Sequence, residues 1–308
     1  MTSRPKIAVV GTGSIGLFYG GHLAHGGQET HFLMRSGYEL AKARGINISS
    51  ESEGRILLPH VHAHQTPESI GPCDLVIVAL KTTSNDALPA LIPPLLNEHT
   101  RLLTLQNGLG NEDFLAQRWG AERVLGGLCF VCLTRENPVT VEHFGHGAIS
   151  LGEFARGSSQ TAEQVAEMFR ACGVNAKAVG DLLLERWRKL VWNIPFNGLS
   201  VARGGITVDQ ILERHLPEVY ELMREVLAIA AAEDCEIEPD FMEVQIQRTR
   251  LMGPYQPSTL VDWKAGSPLE IEPMWGAPLL RAIASGVSTP ALKALRAQLL
   301  NADANRKS

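Results

Sequence analysis

The chain has 308 residues, 44% of them hydrophobic and 20% charged, and 28 Lys+Arg against 33 Asp+Glu leave a net charge of −5. That balance argues against a nucleic-acid binder, whose affinity comes from basic side chains releasing counterions from phosphates. The apolar content excludes a disordered chain, and the length suggests two domains at about 150 residues each.

Spanning a membrane needs about 20 uninterrupted apolar residues, and the best runs, 75–80 and 226–232, are far shorter. The N-terminal segment reaches Gly11 after four apolar residues, which is no secretory signal. The five cysteines, Cys73, Cys129, Cys132, Cys172 and Cys235, form no disulfide framework. A cytoplasmic protein is expected.

Lys6–Val10 reads as a strand, followed by a glycine turn, a helix to about Gly26 and a second strand at 30–34. Residues 74–80 and 102–105 are near-continuous apolar runs of strand length, as in strands of a parallel sheet covered by helices on both faces. The alternation predicts an α/β fold. Further strands are expected at 124–132, 139–143 and 148–151, with a turn at 142–147 suggesting antiparallel pairing. From Asp181 the apolar residues recur at helical spacing over 181–203, 207–235, 237–253, 258–264 and 275–301. Residues 1–180 should therefore form a sheet domain and 181–308 an all-helical one, with the tail from Asn301 frayed.

Gly11-Thr12-Gly13-Ser14-Ile15-Gly16 is a G-x-G-x-x-G between a strand and a helix. The glycines serve a tight turn, close approach of a pyrophosphate, and close packing of helix on strand. The helix N-terminus offers N–H groups and a positive dipole end to the phosphates. This predicts a Rossmann-type doubly wound sheet binding a dinucleotide. The second strand runs into Met34-Arg35-Ser36 without the acid that bonds the ribose 2′-OH of NAD. Arg35 reads either as a solvated cation or as the partner of the 2′-phosphate of NADP, and Lys81 adds a second cation on the same edge. NADPH is the expected cofactor. Asn107, just after the strand at 102–105, reads equally as a turn residue and as a ligand contact.

A carbonyl that accepts hydride needs a group to protonate its oxygen. Lys189, Asn193 and Asn197 lie four apart, so a helix would bring them to one face. For acid catalysis the lysine needs a pKa lowered towards about 7–8 by burial or by cationic neighbours such as Arg188. The alternative is a surface ion pair of Lys189 with Glu185. Pro195 removes a helical hydrogen bond, so the spacing is firmer for Asn193 than for Asn197. Ser258 or Thr259 reads as the cap of a short helix, with Asp262 completing a loose capping box, or as a hydroxyl turned to substrate. Glu270 and Glu272 would share one face if extended.

Taken in order, these residues resemble the 2-dehydropantoate 2-reductases (ketopantoate reductases) over essentially the whole chain. The matching pieces are the 11–16 turn, Arg35, Leu80-Lys81, Gln106-Asn107-Gly108, the 141–147 segment, Lys189-x-x-x-Asn193-x-x-x-Asn197, Ser258-x-x-x-Asp262 and Glu270-Ile271-Glu272. The resemblance implies NADPH-dependent reduction of a 2-oxo acid, 2-dehydropantoate, to (R)-pantoate on the way to pantothenate, and a homodimer. It implies Lys189 as general acid and Glu270 as the group that orients the substrate hydroxyl. Asn193, Asn197 and Ser258 would bind substrate, Asn107 would sit near the nicotinamide, and Arg35 and Lys81 would attend the adenosine phosphate. The chain departs from the family at Gly198, commonly Pro, at Glu272, commonly Asp, and at Trp275, commonly Asn.

β-Hydroxyacid and opine-type dehydrogenases are the nearest rival enzymes, and Ser258 with Glu270 discriminates against them by pointing to a substrate with both a carboxylate and a hydroxyl. A non-catalytic NADP(H)-binding sensor would have no need of Lys189. Cys129 and Cys132 are three apart in an expected strand, so they point to opposite faces and make no metal site with His143 and His146.

Overall fold

The computed structural model describes residues 4–50, 54–155 and 160–306. The chain divides into two compact units, one of Met1–Gln106 and Asn111–Leu182, the other of Asn107–Gly110 and Leu183–Ser308.

In the first unit the strands are β1 (Lys6–Val10), β2 (Glu29–Leu33), β3 (Ile46–Ser50), β4 (Gly54–Leu58), β5 (His62–His64), β6 (Leu75–Val78), β7 (Arg101–Thr104), β8 (Val124–Asn137), β9 (Thr140–Glu153) and β10 (Ala176–Ala178). Among the described residues they form one mixed ten-stranded sheet. The helices are α1 (Ser14–His25), α2 (Tyr38–Arg44), α3 (Leu88–Leu91), α4 (Asn111–Trp119) and α5 (Gln160–Ala171).

Strands β5, β2, β1, β6, β7 and β8 are parallel neighbours in that order. The chain winds outward from β1 in one direction and then, from β6, in the other, which is the doubly wound arrangement and sets a crevice at the carboxyl ends of β1 and β6. Period-2 side chains explain the uninterrupted apolar runs. Ile7, Val9, Leu75 and Ile77 join a core on one face with Phe18, Phe32 and Phe169, while Ala8, Val10, Val76 and Val78 join a second core on the other with Leu88 and Leu115.

The expected turn at 142–147 is instead an irregularity inside one long strand. His146 (φ 67°) and Gly147 (φ 100°) form a bulge in β9, and the real β8–β9 turn falls at 138–139. The hairpin of β3 and β4, which extends the sheet beyond β9, had no distinctive sequence signal.

The second unit contains α6 (Leu182–Ala202, joining the units in sequence), α7 (Val208–Arg214), α8 (Leu216–Ala232), α9 (Phe241–Arg250), α10 (Ser258–Lys264), α11 (Ala277–Ser285) and α12 (Pro290–Arg306) around its own core. The expected helix at 207–235 is two helices, because Pro217 in the first turn of α8 starts a new one. That at 275–301 is also two, because Gly286 closes α11 with left-handed backbone (φ 72°). The tail is helical through Arg306, whose guanidinium bonds Asp303 and the carbonyls of Asp262 and Trp263. Residues 307–308 lie outside the described residues. Among the described residues no helix is long and apolar enough to cross a membrane.

Candidate active site

The turn after β1 gives each glycine of the motif a different steric situation. Gly11 has φ 106°, and a Cβ there would lie 2.4 Å from the backbone N of Leu80, just beyond β6. At Gly16 a Cβ would lie 1.9 Å from the Gly11 carbonyl oxygen. These two are required by the protein's own packing. Gly13 is not, because a Cβ there meets nothing within 4 Å. Its bare backbone at the start of α1 leaves open space for a bulky group, and the first turn of α1 contains no acid that would repel an anion. Gly11 and Thr12 are buried, and Gly13, Ser14 and Ile15 are partly exposed. Arg35 follows β2 and Lys81 follows β6, both exposed, on the carboxyl edge of the parallel strands where Gly11 also lies. The residues of the turn fit a dinucleotide.

Gln106 leaves β7 on the same edge. Its amide nitrogen donates to the Leu80 carbonyl at 2.9 Å and to Asn85 Oδ1 at 2.7 Å, tying the loop after β6 to the end of β7. No local period in the sequence marks this brace, and its one signal is an amide residue directly after an apolar strand.

In the second unit α6 runs unbroken through Pro195, so Lys189, Asn193 and Asn197 keep their helical spacing. Lys189 Nζ donates to Asn107 Oδ1 at 2.8 Å. Glu185, the alternative partner for the lysine, accepts from Arg188 at 2.6 Å. Arg188 also pairs with Glu238. Burial opposes the charge of Arg188, but the two carboxylates outweigh it and hold its pKa above the ordinary value.

Asn193 and Asn197 are buried, at 9% and 2% exposure. Asn197 Nδ2 donates to Asn193 Oδ1 at 3.4 Å, and its Oδ1 accepts from the Thr259 N–H at 3.1 Å and from Ser258 Oγ at 3.4 Å. Asn197 thus caps α10 from another helix. Neither Ser258 nor Thr259 is the cap, since α10 begins at Ser258 itself after Pro257. Ser258 is exposed.

Glu270 is half-buried and precedes a single π-type turn, Glu272–Gly276. The condition of an extended 270–272, under which Glu270 and Glu272 would share a face, is not met, since Ile271 has helical backbone (φ −66°, ψ −42°). Glu272 turns to Arg296 at 2.6 Å. Trp275 is fully buried, and its indole N–H donates to the Ile194 carbonyl at 3.1 Å. The indole therefore lies in the core.

Cys129 is a core residue of β8 and Cys132 is half-buried. Among the described residues no group of three or more His, Cys, Asp or Glu could hold a metal ion.

Comparison with known proteins agrees with this architecture. The family described as ketopantoate reductase PanE/ApbA matches residues 7–156, and its C-terminal counterpart matches 181–302. The chain is 37% identical to a 2-dehydropantoate 2-reductase of Nostoc sp., with 98% of this chain and 97% of that protein aligned. It superposes on the crystal structure of 2-dehydropantoate 2-reductase from Geobacter metallireducens GS-15 with a TM-score of 0.93 and 42% identity, covering 96% of this chain and 99% of that one. The corresponding enzyme structure from Methylococcus capsulatus gives a TM-score of 0.92 and 30% identity, covering 98% of both chains. The chain belongs to the ketopantoate reductase family.

Proposed function

We propose that this chain is an NADPH-dependent reductase that converts the 2-oxo group of 2-dehydropantoate to the hydroxyl of (R)-pantoate. The observation that carries the reading is the Lys189 ammonium held 2.8 Å from Asn107 Oδ1, on a helix whose next turn presents Asn193. NADPH, when bound, supplies the hydride. Lys189 gives its proton to the carbonyl oxygen as negative charge develops there, which completes the hydroxyl. Asn107 accepts one ammonium N–H and so limits the directions in which the other two point. Asn193 and Ser258 hydrogen-bond the substrate, with Ser258 serving its carboxylate, and the Glu270 carboxylate orients its hydroxyl. Asn197 contributes by holding Asn193 and the start of α10.

Cofactor choice rests on the turn at 11–16, on Arg35 and Lys81, and on the absence of an acid in 33–36. The five cysteines are free thiols, four of them buried, in keeping with a cytoplasmic enzyme. A homodimer is the family expectation, checked by sedimentation.

The test is NADPH oxidation by the purified protein with a panel of 2-oxo acids, beside NADH and a Lys189→Ala variant. Reduction of 2-dehydropantoate with NADPH preferred and turnover lost in the variant supports the reading. Reduction of a different oxo acid replaces the substrate but retains the mechanism. NADPH binding without turnover on any acid overturns it in favour of a sensor.

A further inference from the structure

The groups assigned to catalysis in the second unit come from three separate stretches of chain: Asn107, the α6 turns with Lys189 and Asn193, and the Glu270 segment. The π-type turn at Glu272–Gly276 bonds to the first two and is continuous with the third. Its Pro273 carbonyl accepts the N–H of Leu109 at 2.9 Å. Gly108, with φ 84°, lies so close that a Cβ would be 2.3 Å from the same oxygen. On the other side the indole N–H of Trp275 donates to the Ile194 carbonyl. Glu272 fastens the turn to α12 through Arg296.

Trp275 grips α6 at the residue just before Pro195. Pro195 has no N–H to offer the Val191 carbonyl, and Ile194 lies between Asn193 and Asn197. Gly198 belongs to the same fit, since a Cβ there would lie 3.0 Å from Trp275 Nε1 and 2.6 Å from Leu295 Cδ2. Gly198, Trp275 and Leu295 are therefore packed as one fit.

We propose that Trp275, seated against Gly198 and bonded to Ile194, is a positioning residue that locks the Lys189–Asn107 pair and Asn193 to the Glu270 segment. It touches no substrate and acts through the α6 backbone. The proposal rests on the reductase reading above, and a π-type insertion at such a place fits the tendency of these turns to occur at functional sites.

The test compares wild type, Trp275→Phe, Gly198→Ala, the double variant and Lys189→Ala, by thermal unfolding and by kcat and KM for NADPH and for the oxo acid. Assays run well below each melting temperature. Phenylalanine keeps most of the bulk and removes the donor. We expect kcat about tenfold lower in Trp275→Phe with KM for NADPH unchanged, within the roughly 10²-fold that a 1 Å misplacement can cost. Gly198→Ala should lose a similar factor by displacing Leu295 and the indole. The double variant should lose less than the product of the two, because the smaller ring relieves the methyl's contact with residue 275 while that with Leu295 remains. Wild-type kcat in Trp275→Phe with only a lower melting temperature overturns the positioning role, and losses that multiply overturn the pairing. A wild type that reduces no oxo acid, or an unimpaired Lys189→Ala, overturns the reductase reading and this inference with it.

Discussion

Alanine placed at each glycine of the 11–16 turn should separate cofactor binding from folding. Gly13 has backbone that any residue adopts (φ −74°, ψ −171°), and a Cβ there meets nothing within 4 Å. Gly13→Ala should therefore change stability by no more than about 0.5 kcal/mol, as for an unencumbered surface site. Gly16→Ala puts a methyl 1.9 Å from the Gly11 carbonyl oxygen and 3.2 Å from Val9 Cγ1. Helix α1 must back away by more than about 1 Å to restore an ordinary C···O contact, an overpacking that costs about 1–3 kcal/mol. Gly11→Ala adds about 1–3 kcal/mol of backbone strain at φ 106°.

At about 2–4 °C per kcal/mol for a unit of this size, the Gly16 variant should melt about 4–8 °C early, for a cost near 2 kcal/mol, and the Gly13 variant within about 2 °C of wild type. NADPH affinity should show the reverse pattern for Gly13. Its methyl occupies the open face where phosphate approaches, and Kd should rise tenfold or more, about 1.4 kcal/mol. Calorimetry on ligand-free protein and a fluorescence titration with NADPH measure the two quantities. A Gly13→Ala protein with wild-type Kd, or one that melts as early as Gly16→Ala, would refute the assignment of the turn.

Lys189→Ala should lower kcat by about 10²–10⁴ while leaving NADPH affinity intact, and Asn107→Ala should fall in between, both read by steady-state kinetics. Asn197→Ala removes the acceptor of the Thr259 N–H and should cost about 1–2 kcal/mol in urea unfolding. Ser258→Ala, at an exposed side chain, should cost under about 0.5 kcal/mol in the same assay. Arg35→Glu should reduce the preference for NADPH over NADH by at least about tenfold in kcat/KM, because a carboxylate favours a free ribose hydroxyl and repels a phosphate. Burial lowers the pKa of His31 and of His64, which lie 3.0 Å apart, with the Glu29 hydrogen bond opposing this at His31 and neighbouring positive charge adding to it at His64. A histidine pKa depressed by folding stabilises above the unfolded value of about 6.5 and loses that stability as pH falls through the folded one. Urea midpoints should therefore drop between pH 7.5 and 5.5, and a His31→Gln/His64→Gln variant should flatten that slope.

Several features are legible in the sequence alone because they depend on periods and on local stereochemistry. The apolar runs in β1, β6 and β7, the glycine turn and the helical spacing of Lys189 and Asn193 all follow from side-chain direction along a strand or helix, which neighbours three or four residues away decide. The same local signals misled where a distant partner took over. The polar, glycine-rich stretch at 142–147 has the composition of a turn, yet pairing with β8 draws it into β9 as a bulge. The hydroxyls at the start of α10 look like a cap, yet Asn197 supplies it from 62 residues away. Helix α12 is capped in the same manner by the Glu225 carboxylate of α8, which accepts the N–H groups of Ala291 and Leu292 at 2.9 and 2.8 Å.

Trp275 illustrates the limit most directly, because an indole opposite a family asparagine suggests a changed pocket, whereas packing against Gly198 places it in the core. By itself, then, the sequence determined the doubly wound sheet, the dinucleotide turn and the helix that carries the lysine. Only the tertiary structure decided which atoms those groups hold: Asn107 for Lys189, Thr259 for Asn197 and Ile194 for Trp275. The physical reason is that a hydrogen bond between residues 62 to 82 positions apart leaves no local period to read, and its partners are chosen by the packing of whole elements.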